Sequence, residues 1–80
     1  MVTFNPRPEQ LAAIGRAVPA EVARMQELQQ AGIVRELYVA GPGKAWLVID
    51  VADEEEATRV MEALPLRPFL DVTIDALRNT

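Results

Sequence analysis

Two carboxylates sit inside strand-like stretches, where alternation would aim each at one face of a sheet: Glu36 in "VRELYV" and Asp71 in "PFLDVTID". Tyr38 follows Glu36 by two residues and Thr73 follows Asp71 by two, so each carboxylate shares its side of an extended chain with a hydroxyl. A carboxylate deprived of water holds a proton more tightly, and one lifted toward neutrality can serve as a general base. A phenol beside it can donate to a developing oxyanion. Glu36 is therefore the first candidate base and Asp71 the alternative, with Tyr38 as donor. Trp46 and Phe69 would wall a small apolar ligand, and Thr73 joins them on the same expected face. Arg35 or Arg67 would suit a ligand carboxylate, although a lone arginine is more often a solvated surface residue.

The rest of the composition narrows the chemistry. Histidine and cysteine are absent, which excludes imidazole acid–base steps, thiol nucleophiles, disulfides and Cys- or His-based metal sites. The acidic run at 53–56 reads as helix-start chemistry rather than as a metal site, so neither metal nor cofactor is expected. Net charge is −4 and the eight basic residues are scattered, which argues against nucleic acid. No long apolar run or charged leader is visible, so the expectation is a cytoplasmic chain with no membrane partner. Eighty residues form one domain, 1–80. A chain this short buries only ~60% of its unfolded surface, so pairing with a second copy would help it.

The elements follow from periodicity. "MVTF" reads as a short strand ending at Asn5-Pro6. Leu11, Ile14, Val18, Val22, Met25 and Leu28 recur at helical steps, with Pro8 suited to the first turn and Gly32 to the stop. Pro19 interrupts that pattern and predicts a kink or break near residues 15–18, with the main helix from about 19 to 31. "IVRELYV" and "AWLVIDV" read as strands around an "AGPGK" turn. Asp53 and Glu56 resemble a capping box opening a second helix, which ends before Pro65. The last strand is expected from Phe69 to about Asp75. The order β-α-β-β-α-β is the ferredoxin-like α+β pattern with an antiparallel sheet.

Alternation then divides the sheet. Val2, Phe4, Leu37, Val39, Leu47, Ile49, Leu70, Val72 and Ile74 are expected under the helices. Val34, Glu36, Tyr38, Trp46, Val48, Asp50, Phe69, Asp71, Thr73 and Asp75 are expected on the other face. That second face gathers most of the aromatics among carboxylates. Either the aromatics fill an interface between two copies with carboxylates at its rim, or a ligand pocket lies between the sheets.

Three stretches in order carry a family resemblance. "LPLRPFLDVTIDAL" is similar to the carboxyl-terminal signature of the muconolactone isomerase family. "ELQQAGIVRELYV" resembles the family's helix end, glycine and following strand, and "VIDVADEEEATRVMEALPL" its strand, cap and second helix. The similarity covers about residues 19–78. It implies a protomer whose sheet packs on a second copy as a dimeric α+β barrel, sometimes in larger rings. It also implies a site in the cleft between sheet and helices, and a cofactor-free proton shift beside the carbonyl of a small lactone or organic acid.

Two functional readings remain open. One is an isomerase of that kind, using Glu36 or Asp71 with Tyr38, Trp46, Phe69 and Thr73. The other is a non-catalytic ligand-binding or oligomerisation module of the same shape, which the absence of histidine favours.

Overall fold

The computed structural model describes residues 1–41 and 43–76. Pro42 of the "AGPGK" turn and residues 77–80 lie outside them. Strand β1 (Val2–Pro6) is followed by a 3-10 turn (Pro8–Gln10) that runs directly into α1 (Leu11–Gln30). Then come β2 (Val34–Gly41), β3 (Lys44–Ile49), α2 (Glu54–Glu62), a second 3-10 turn (Arg67–Phe69) and β4 (Leu70–Ile74). The four strands form one antiparallel sheet in the order β2-β3-β1-β4. This is the expected ferredoxin-like α+β arrangement. Among the described residues, no helix is long and apolar enough to cross a membrane.

The helix ends are set by local hydrogen bonds. At the end of α1, Gly32 takes φ +78°, and its N–H donates to Gln29 while the Ile33 N–H donates to Leu28. These two bonds are a Schellman motif, and only glycine holds that φ at little cost. At the start of α2, the Asp53 carboxylate accepts from the Glu56 N–H at 2.8 Å. The Glu56 side chain reaches back one residue further than in a standard capping box, to the Ala52 N–H.

Pro19 does not break α1; the expected break near 15–18 is absent and the helix runs through it. Proline leaves the Gly15 carbonyl without its helical donor, and Gly15 is exposed, so water can replace that bond. Burial on both sides of the interruption decides the outcome, with Ile14 before it and Glu21, Met25 and Leu28 after it all buried. The buried stripe therefore differs from the expected one. Leu11 and Val22 are exposed, and Glu21 takes the inward position beside Val22.

The core lies between this stripe, α2 and one face of the sheet, with Val2, Ile14, Leu47, Met61 and Leu70 completely buried. Three expectations about strand faces need correction. Val34 lies under the helices, paired with Ile49, not on the open face. A register shift between Val34 and Glu36 inserts one residue, and one residue turns the chain over. Phe69 is not in β4 and does not share the open face; it belongs to the second 3-10 turn and packs against the core. The proline pair around Leu66-Arg67 tightens that turn, which delays the strand by one residue. Asp50 and Asp75 fall just outside the strands.

Candidate functional site

A groove of about 470 Å³ opens between α1 and the β2–β3 end of the sheet. Its floor is empty for a reason visible in the residues. Ala45 pairs with Phe4 on one side and Val39 on the other, so a methyl stands where a larger side chain would fill the layer. Gly41 and Gly43 close one end without side-chain bulk. Val39 faces the helix layer as expected but remains 68% exposed, because β2 is the edge strand. Val22 faces it from α1 and is 49% exposed. These two valines frame the mouth.

Inside this apolar lining stands one buried carboxylate. Glu21 is 7% exposed, on the same helical face as Val18 and Met25. One oxygen, Oε1, accepts the Leu66 N–H at 3.2 Å, while Oε2 has no hydrogen-bond partner among the described residues. Burial pushes the Glu21 pKa above its ordinary value, and the Leu66 amide only partly opposes that shift. A buried, half-satisfied carboxylate in a groove has the properties of a base. Gln26 and Gln29, one and two turns further along α1, add amide donors to the lining.

Sequence reasoning passed over Glu21. Its signal was its position: seven residues after Ile14, four before Met25 and seven before Leu28, a core position occupied by an acid. The adjacent Val22 matched the apolar pattern equally well and drew the assignment.

The expected site residues occupy the opposite side of the sheet, except Phe69. Glu36 and Tyr38 are together there, the Tyr38 hydroxyl donating to Glu36 Oε1 at 2.9 Å. This bond raises the pKa of the Tyr38 phenol. Tyr38 is paired across the strands with Trp46, Trp46 with Thr3, and Thr3 with Thr73. Tyr38, Trp46 and Thr73 thus lie in one cross-strand row. Asp71 pairs with Asn5 at the far edge and forms an exposed ion pair with Arg7 at 3.1 Å. Glu36 and Asp71 belong to opposite edge strands, about 14 Å apart at ~4.8 Å per strand step, so one small ligand cannot rest on both. Neither expected arginine stands free. Arg35 pairs with Asp50 at 3.7 Å, and Arg67 donates to the Leu70 carbonyl at 3.2 Å.

The family model described as muconolactone delta-isomerase matches residues 2–80, effectively the whole chain. A comparison with the curated proteins finds no match. Covered from its first strand to its last residue by that single family model, the chain belongs to the muconolactone delta-isomerase family.

Proposed function

We propose that this chain is a cofactor-free isomerase that moves a proton within a small lactone or organic acid, with Glu21 as the base. The observation that carries this reading is a buried glutamate, partnered at one oxygen only, in the lining of an apolar groove. Family membership supports isomerase-like chemistry in general. In the proposed step, Glu21 removes a proton from the carbon beside the ring carbonyl. The C–H bond breaks, an O–H bond forms on Glu21, and the electron pair moves to the carbonyl oxygen as an enolate. Gln26 and Gln29 are the amide donors available to that oxygen. Glu21 then returns the proton to a different carbon of the conjugated system. The double bond moves, the carboxylate is regenerated and no electrons are gained or lost overall.

The open sheet face has its own proposed role, as the surface that a second copy covers. Members of the family are typically oligomeric, and Tyr38 and Trp46 give the face an aromatic centre. A second reading of the chemistry follows from the same surface. There, Glu36 or Asp71 is the base of a site between two copies, lined by Trp46 and Thr73, with Phe69 behind the sheet rather than in the wall. The Tyr38–Glu36 hydrogen bond favours it, because it joins a donor to a carboxylate before any ligand arrives.

A β,γ-unsaturated γ-lactone such as α-angelica lactone, incubated in D₂O and followed by proton NMR, tests both readings. Enzyme-dependent deuterium uptake and migration of the double bond are expected. Glu21→Gln should lower the rate by about 10²-fold or more, the ordinary range for a lost general base. Glu36→Gln should leave it within about threefold, since its carboxylate lies across the sheet. Loss on Glu36→Gln alone would move the base to the open face. No exchange with the wild-type chain on a panel of such lactones would leave a binding module.

A further inference from the structure

The open sheet face is divided into two unlike halves. On β2 and β3 it carries Tyr38, Trp46 and Lys44, with the Lys44 ammonium 5.9 Å from the centre of the Trp46 ring. On β1 and β4 it carries the smaller Thr3, Asn5, Asp71 and Thr73. The central row shows the contrast directly, running from Tyr38 through Trp46 and Thr3 to Thr73. In the next row Lys44, the residue before the Ala45–Phe4 pair, is followed by the Asn5–Asp71 pair. One half is therefore bulky and carries a cation, and the other is low and carries an anion. The Arg7 contact occupies only Oδ1 of Asp71, and that side chain remains 68% exposed.

Two packed sheets stand ~10 Å apart, and the gap between them has to be filled evenly. A twofold axis along the strands, between β1 and β3, sets the bulky half of each copy against the low half of the other. Tyr38 then lies over the partner's Thr73, Trp46 over the partner's Thr3, and Lys44 beside the partner's Asp71. An axis across the strands instead stacks Tyr38 on Tyr38 and Thr73 on Thr73, crowding one edge and leaving the other hollow. Large against small fills such a layer. An interface that uses one patch twice needs a patch complementary to itself, and this face meets that condition in both size and charge. A second copy is thus the occupant it fits. The same axis brings Glu36 toward the partner's Asp75, a like-charge contact that costs little at a rim screened by solvent.

We propose that two copies pack open face to open face with the aromatic half of each on the threonine half of the other, held in register by Lys44 and the partner's Asp71. The proposal rests on the open face being the surface between copies, as read above, and adds the orientation of the pair.

The chain has no cysteine, so introduced thiols report without background. Aligned sheets cross at roughly −30°, which displaces the end rows more than the central one, so the thiols belong in the central row. Chains carrying Tyr38→Cys and chains carrying Thr73→Cys are to be mixed at micromolar concentration and treated with a short bis-maleimide. The mixture should cross-link position 38 to position 73. Thr73→Cys alone should cross-link at least about tenfold less, because the axis along the strands leaves its two copies about 14 Å apart across the sheet, at ~4.8 Å per strand step. Lys44→Glu should weaken association about tenfold or more by sedimentation velocity, and about threefold or less in an Asp71→Asn background. Ready cross-linking of Thr73→Cys to itself would place the axis across the strands and overturn the arrangement while leaving the face as the interface. Association without any link from 38 to 73 would overturn it in the same way, as would an equal loss from Lys44→Glu in both backgrounds. A wild-type chain that stays monomeric would overturn the face and the arrangement together. None of these outcomes depends on lactone turnover.

Discussion

The Glu21 carboxylate accepts a 3.2 Å hydrogen bond from the Leu66 amide, across 45 residues of sequence. It ties the middle of α1 to the turn that launches β4, and it orients the side chain so that the second oxygen is left without a partner. A helix, a proline-bracketed turn and the floor of the groove therefore meet at one side chain.

Glu21 also makes stability depend on pH. Its pKa is raised in the folded chain above the ordinary 4.5, chiefly by burial. The folded state then binds the proton more tightly than the unfolded state, so this residue favours folding most below the unfolded value. That contribution is lost as pH rises through the raised folded value. Glu21→Gln should keep the Leu66 bond, remove the charge and stabilise the chain at pH 7 by on the order of 1 kcal/mol. Urea unfolding at pH 4 and pH 7 checks this: the gain should be larger at pH 7, and an equal gain at both pH values would contradict it.

Pro19 is a cost that α1 tolerates. Pro19→Ala restores a donor for the Gly15 carbonyl at an exposed site and should raise stability by about 1–3 kcal/mol. A thermal melt would show the midpoint rising. An unchanged or lower midpoint would mean that the proline constrains the unfolded chain by as much as it costs the helix.

Gly43 has the opposite sensitivity. Its φ is +74°, and an added Cβ would lie 3.1 Å from both the Leu70 side chain and the Pro6 ring. Gly43→Ala should destabilise by on the order of 1–2 kcal/mol through strain and crowding together. Gly15→Ala, with open space around the new methyl, should stabilise by about 0.5–1 kcal/mol. The two variants compared by denaturant midpoint should move in opposite directions.

Self-association is expected through the open face, where Tyr38 is 58% exposed and pairs across the strands with Trp46. Tyr38→Asp places a charge in that row and should weaken association by about tenfold or more if the face is buried between copies. Sedimentation velocity at micromolar concentration reads it directly. A wild-type chain that sediments only as a monomer would remove the interface.

The sequence by itself determined the element order and most of what each strand turns inward. Alternation at Val2, Phe4, Leu47, Leu70 and Val72 admits one sheet face, and Gly32 and Asp53 carry the helix ends in their own chemistry. The Tyr38–Glu36 pairing was legible for the same reason, since residues two apart on a strand share a side. Tertiary structure decided the rest. Whether Pro19 broke the helix depended on how much surface its two halves bury against the sheet, which no local rule contains. Val34 changed faces because one inserted residue shifts the register, and Phe69 left the strand because the proline-bracketed turn tightened into 3-10 geometry. Glu21 emerged only from packing. A glutamate beside an equally well-spaced valine reads as solvent-facing until the Leu66 amide gives its carboxylate one partner and the small residues Ala45, Gly41 and Gly43 leave a groove beside it.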